Sequence, residues 1–130
     1  MDKQEFSYFR KKLKKTQKEM SELLGKSIKA IHSYEQGWRV IPVDVERQIY
    51  FLASQALRKP ESQKACWKIL KCTPLKKRNC PAWKFNAGQY CWFINGTICH
   101  GQPQKSWNEK IQLCKECEVF NSILQEIEAS

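Results

Sequence analysis

Apolar positions in the first half of the chain recur at helical spacing. Phe6, Phe9 and Leu13, with Arg10 among them, predict an amphipathic first helix. Thr16 followed three residues on by Glu19 is the capping-box signature of a helix start, and Met20, Leu23 and Leu24 carry the apolar stripe as far as Gly25. Ser27 reads as the next N-cap, opening IKAIHSYEQ, which Gly37 closes. Pro42 and Asp44 open a fourth helix with Val45, Ile49, Leu52, Ala53 and Ala56 on one side. Four helices over residues 1–58 follow.

Beyond that point the pattern changes. RKPESQK is polar and carries a proline, which predicts a linker over 59–64. Residues 65–130 are rich in Cys, Trp, Gly and Pro, and no long periodic segment is evident until VFNSILQEIEAS. There Val119, Phe120, Ile123, Leu124 and Ile127 predict a short final helix. Asn95-Gly96 within FINGTI is a hairpin signal that would set Cys91 and Cys99 on paired strands. The expected fold is therefore mainly α: a four-helix N-terminal domain, then a small, irregular, cysteine-rich module with a short hairpin and a terminal helix.

Charge adds a partner class without deciding it. The formal net charge is +10, with 13 basic and 7 acidic residues up to Pro60 and 10 and 6 after it. A polyanionic partner suits both halves, though excess lysine also serves solubility. The N-terminus lacks the apolar stretch of a secretory signal, and no run of 18 apolar residues occurs, so a cytoplasmic protein without a membrane span is expected. All 7 cysteines lie from Cys66 onward. An odd count in a reducing compartment points away from a disulfide scaffold and toward metal or redox chemistry. No Ser–His–acid or Cys–His set with a local signature and no phosphate-cradling glycine loop is present, and the two histidines, His32 and His100, fall in different halves. An enzyme is not expected.

Two helices held by a tight turn need a residue there that tolerates positive φ, and Gly25 supplies it. Ser21 is small enough for close approach, and Met20, Leu24, Ile31 and Tyr34 would form the core between the helices. The stretch TQKEMSELLGKSIKAIHSYEQGWRVIP resembles the lambda-repressor/Cro-like DNA-binding domains, in the order T-Q-x-E, a turn glycine, then S-x-x-x-I and E-x-G. Lys26 departs from it, since an apolar residue usually follows the turn glycine, as does Ser21, where alanine is commoner, and four helices stand where five are usual. The resemblance implies double-stranded DNA as partner, a homodimer, and a second helix lying in the major groove. On that basis Ile28, Lys29 and Ser33 face the bases with His32 close by, Gln17 holds a phosphate, and Ser27, Trp38 and Arg39 touch the backbone. The plainer readings are a solvated His32, a core-packed Trp38, a structural Glu35 and a solvated basic face over Arg10, Lys11, Lys12, Lys14 and Lys15.

The candidate metal ligands are Cys66, Cys72, Cys80, Cys91, Cys99, Cys114 and Cys117. Only Cys114 and Cys117 form a C-x-x-C pair, where a zinc ribbon would have two. A 4Fe–4S cluster takes four thiolates from scattered positions. Trp67, Trp83, Trp92, Phe93 and Trp107 lie among the cysteines and would shield such a cluster, or simply fill the core of a small module. CWKILKC, NCPAW, GQYCWFINGTICHG and EKIQLCKECEVF resemble two-CW modules, small cysteine-rich domains with two Cys-Trp dipeptides; His100 departs where glycine often stands. The resemblance implies a metal or redox role, iron–sulfur ahead of zinc, with a thiol switch also open. The resulting expectation is a prokaryotic transcription regulator that reads DNA and senses redox or metal state. The alternative is a DNA-binding protein with a structural zinc or protein-recruiting module.

Overall fold

The computed structural model describes residues 1–57, 65–88, 90–95, 97–98 and 103–129. Among these the chain is mainly helical and has no strand. Contacts divide it into two compact units, Met1–Leu57 and Arg58–Ala129. The linker expected over 59–64 lies outside the described residues.

In the first unit, local chemistry sets each helix boundary. α1 (Lys3–Lys12) starts where Asp2 Oδ1 accepts from the Glu5 N–H at 2.8 Å. α2 (Gln17–Leu24) starts on the reciprocal bonds of Thr16 and Glu19, both 3.1 Å, which satisfy two amides that the helix leaves unbonded. Gly25 ends it at φ 66°, a conformation costly for a residue bearing a Cβ. Ser27 Oγ accepts from the Ala30 N–H at 3.1 Å to open α3 (Ile28–Gln36). Pro42 precedes α4 (Val43–Leu57), whose first turn carries Asp44 and Glu46, favourable beside the positive end of the helix.

Phe6, Met20, Ile31, Val45, Ile49 and Ala53 are completely buried and make the core, with Phe9, Leu24 and Tyr34 around them. Each large side chain contributes about 1.5–3 kcal/mol by leaving water. Phe6 meets the Tyr34 ring edge-on at 5.8 Å, and Phe9 meets Tyr50 at 5.5 Å. The inner face of α4 centres, as expected, on Val45, Ile49 and Ala53, while Leu52 is half-buried and Ala56 exposed, and Glu46, Tyr50 and Ser54 are buried as well. On that added side Tyr50 packs on Phe9 and Glu46 accepts the Met1 ammonium.

The second unit is more helical than its sequence suggests. It contains α5 (Cys66–Ile69), α6 (Pro74–Asn79), α7 (Pro81–Lys84), a 3₁₀ turn at Cys91–Phe93, α8 (Trp107–Lys115) and α9 (Glu118–Ala129). Pro74 and Pro81 open their helices at the position where a missing N–H costs nothing. Ser106 Oγ accepts from the Glu109 N–H at 3.3 Å and starts α8. α9 buries Val119, Phe120, Ile123 and Ile127, while Leu124 is half-buried.

The expected hairpin does not form among the described residues. Cys91 begins a 3₁₀ turn, and the Thr97 N–H and hydroxyl both return to the Ile94 carbonyl, at 3.4 and 3.3 Å. The competing demand is burial of Trp92, fully enclosed with Phe120 edge-on at 6.0 Å, which a solvent-facing two-strand ribbon would not satisfy. Gly96, Cys99 and His100 lie outside the described residues.

Candidate functional site

Two sites carry the candidate chemistry, one in each unit. In the first, α3 turns Ala30, Ile31 and Tyr34 inward, which leaves Ile28, Lys29 and His32 on the outward face. Ile28 is 49% exposed, and Ser27 beside it is also exposed. Trp38 follows Gly37 and is 71% exposed, meeting the His32 ring edge-on at 5.4 Å. It therefore does not pack into the core. Arg39 is exposed next to it. Isoleucine, lysine, imidazole and indole thus lie on one surface, offering an apolar contact, a cation and two flat rings.

Two expected contacts are changed by the fold. Ser33 is buried, and its hydroxyl donates to the Lys29 carbonyl at 2.9 Å, so it faces the protein rather than a ligand. At helical pitch it lies beside Ala30 and Tyr34, on the face that the turn glycine directs toward α2. Gln17 is half-buried, and its Nε2 donates to Glu35 Oε2 at 3.2 Å, so one amide hydrogen is engaged within the fold. Arg10 also departs from the solvated basic face: its guanidinium bonds both Glu35 oxygens and, at 3.0 Å, the Lys15 carbonyl. Burial would raise the Glu35 carboxyl, but hydrogen bonds from Arg10 and Gln17 and the charge of Arg10 hold it below the usual range. Lys26, the residue after the turn glycine, pairs with Asp44 at 3.2 Å and so ties the turn to α4. This pair is solvent-exposed and contributes about 0–1 kcal/mol.

In the second unit, Cys66, Cys72, Cys80, Cys91 and Cys117 line one cavity of about 470 Å³. They come from five places: the start of α5, the loop after it, the cap of α7, the 3₁₀ turn and the α8–α9 junction. Both Cys-Trp pairs work alike, because successive residues point about 100° apart on the α-helical turn of Cys66 and about 120° apart on the 3₁₀ turn of Cys91. Cys66 and Cys91 reach the cavity, while Trp67 packs on Trp83 at 4.9 Å and Trp92 enters the core. Gly88 makes the first arrangement possible. Its carbonyl accepts the Cys66 N–H at 2.8 Å, and a Cβ there would stand 2.7 Å from both Ala65 Cβ and Trp67 Cζ3.

The sulfurs differ in surroundings. Cys91 is pushed well above the usual thiol range by its hydrogen bond with Cys66, then by burial, against the opposing pull of Lys110 and the Trp92 N–H. The Ile98 N–H donates to Cys80 Sγ at 3.4 Å. Cys114 is buried in α8 and does not line the cavity, and Cys99 lies outside the described residues. Among the described residues no three His, Cys, Asp or Glu side chains are grouped as around a single bound ion.

The donor chemistry nevertheless fits a thiophilic group. Five soft sulfurs border one cavity, and one of them already receives a backbone N–H. Sequence pattern overlooked two residues here. Thr97 and Lys110 are both completely buried, and the Lys110 ammonium donates to Thr97 Oγ1. A signal existed in W-x-x-K-I-x-x-C, where Lys110 falls on the same helical stripe as Trp107, Ile111 and Cys114. No helix among the described residues is long and apolar enough to cross a membrane.

Compared with known proteins, the chain matches no family model, no curated protein and no solved structure.

Proposed function

We propose that this chain is a DNA-binding regulator: α3 reads double-stranded DNA, and the cysteine cavity of the second unit holds an iron–sulfur cluster that reports redox or metal state. The observation that carries the first part is the outward face of α3. Two capped helices joined at a left-handed glycine leave Ile28 and Lys29 exposed at the helix start, with His32 one turn on and Trp38 and Arg39 alongside. Lysine there donates to guanine O6 and N7, isoleucine meets a thymine methyl, and Ser27 and Arg39 take phosphates. The likeness of this stretch to lambda-repressor/Cro-like domains supports the same reading, with a homodimer spanning two half-sites.

For the second part the support is the shared cavity. A 4Fe–4S cluster takes four thiolates, which can come from scattered positions in the chain. Cys66, Cys72, Cys80, Cys91 and Cys117 border that cavity and are the residues that would hold the group. When bound, the cluster supplies reversible one-electron chemistry. The protein's own contribution is a hydrogen bond to Cys80 and a buried cation bonded to Thr97.

The test begins with anaerobic purification and iron, zinc and sulfide analysis. Duplexes are then selected from a random pool, and affinity is compared before and after oxidation. A brown protein with iron and sulfide near four per chain (the content of a 4Fe–4S centre) and oxidation-dependent binding to one sequence is expected. Stoichiometric zinc with redox-independent binding assigns the module a structural role instead. Failure to enrich any sequence removes the DNA-reading assignment.

A further inference from the structure

We propose that the corner formed by α6 and α7 is a second DNA contact, in which Arg78 and Lys84 take phosphates and Phe85 enters the minor groove between them. DNA as the occupant rests on the reading of α3 above; the surface stands on its own chemistry. Between Ser62 and Asn108 there are eight lysine and arginine residues and no aspartate or glutamate. The acids of the second unit that follow Glu61 all fall on α8, on α9 or at their junction. Arg78 and Lys84 are exposed, and among the described residues neither forms an ion pair. Large apolar side chains stand among these cations. Phe85, the C-cap of α7, is 76% exposed and Leu75 of α6 is 72% exposed. Leu75 and Arg78 are three apart on α6 and share a face, Phe85 directly follows Lys84, and the two helices pack together across Cys80. Trp83 is partly exposed and packs on Trp67 at 4.9 Å. A face that only kept the chain in solution would show its lysines without apolar side chains standing clear of the core. Cys80 and Ala82 of the same segment line the cysteine cavity, which leaves this corner outside the site already described.

The residue types select the occupant. Proteins that enter the minor groove set cations on its phosphate walls and place Phe or Leu against the base steps. A lipid surface takes similar side chains, but interfacial binding lays an apolar helix face along the bilayer, and α6 and α7 have only six and four residues. The corner also shares one polypeptide with α3. A duplex held by α3 is therefore presented to it at an effective concentration on the order of millimolar. A sequence-independent phosphate contact, with a Kd of roughly 10⁻⁴ to 10⁻⁶ M, is filled at that concentration. Such a contact strengthens binding without adding base preference.

The experiment is an anisotropy titration of the full chain with a selected duplex and a random one, over a series of salt concentrations. Arg78→Gln combined with Lys84→Gln should weaken binding to both duplexes by the same factor, about tenfold at low salt, and lower the salt slope by about 1.8, the value for two phosphates. Phe85→Ser should weaken both about fivefold and leave the slope unchanged. All three residues are exposed, so thermal melts of the variants should match the wild type. A double variant at the wild-type slope overturns the inference, and so does a Phe85→Ser chain that binds DNA as tightly as the wild type. Vesicles of phosphatidylserine and phosphatidylcholine test the other polyanion. Retention of the wild type on them, lost in Phe85→Ser while DNA binding is unchanged, overturns the inference and assigns the corner to a membrane. A wild type that binds every duplex alike, with the slope loss intact, defeats the reading of α3 and supports this contact. A wild type that binds no duplex defeats both.

Discussion

Arg10 of α1 and Glu35 of α3 meet across the first unit in a two-point ion pair, Nε to Oε1 and Nη2 to Oε2, the latter at 3.2 Å. Gln17 of α2 completes the arrangement on the same carboxylate oxygen. Three helices are thereby tied to one acid, directly behind the helix whose outer face carries Lys29. The pair is neither fully buried nor exposed, with 18% and 10% of the two side chains accessible.

Glu35→Gln should destabilise the first unit by roughly 2–3 kcal/mol at neutral pH, between the values for exposed and fully buried pairs. The Glu35 carboxyl is held below its ordinary value of 4.5 in the folded state, so its contribution is present above that pH and is lost as pH falls through the lower folded value. Urea unfolding at pH 7 and at successively lower pH should show the gap between wild type and variant closing in acid. A gap independent of pH would show that the carboxylate charge is not what binds the helices.

Lys29→Ala should weaken binding to a selected duplex by about 1–3 kcal/mol and relax preference at one base pair, if the ammonium reads a base edge. Arg39→Ala should instead weaken binding evenly across sequences and reduce the salt slope by about 1. Anisotropy titrations over a series of salt concentrations and single-base variants separate the two. Equal behaviour of both variants would mean that α3 does not read base edges.

Cys117→Ser should lower bound iron and sulfide, while Cys114→Ser should leave them near the wild-type content. The two cysteines share a C-x-x-C pair, but Cys117 alone of them lines the cavity. Metal and sulfide analysis after identical anaerobic reconstitution decides the matter. Loss in Cys114→Ser with retention in Cys117→Ser would invert the assignment.

Two glycines should respond differently to alanine. Gly25 has nothing within 4 Å of an added Cβ, so Gly25→Ala carries only the backbone cost of φ +66°, about 1–2 kcal/mol. Gly88→Ala forces a Cβ against Ala65 and Trp67 at 2.7 Å and displaces the start of α5, which carries Cys66. It should reduce cluster uptake, as Gly25→Ala should not. Thermal melts and iron content measured together on the two variants test this.

In the first unit, much of the architecture was legible because its determinants are local. Thr16 with Glu19, Ser27, Gly25 and Gly37 act within a turn of their own positions, and the Met20, Leu24, Ile31 and Tyr34 core follows from a period of 3.6. In the second unit the local signals were short and contradictory. Helices of four to six residues carry too few positions for a period, and α8 hides a lysine on its inner stripe. Asn95-Gly96 argued for a hairpin, whereas the described residues before it form a 3₁₀ turn over Cys91–Phe93 that buries Trp92.

By itself, then, the sequence determined where the helices of the first unit start and stop, which of their faces are apolar, and that soft ligands are confined to the second half. Those are properties of neighbours along the chain. Only the tertiary structure decided that Gln17 and Arg10 turn to Glu35, that Ser33 is covered, that Cys117 rather than Cys114 joins the cavity, and that Lys110 stands behind Thr97. Each of these depends on residues distant in sequence competing for the same small volume. Such competition is settled by packing and by the need to satisfy buried charge, and neither leaves a periodic trace in the chain.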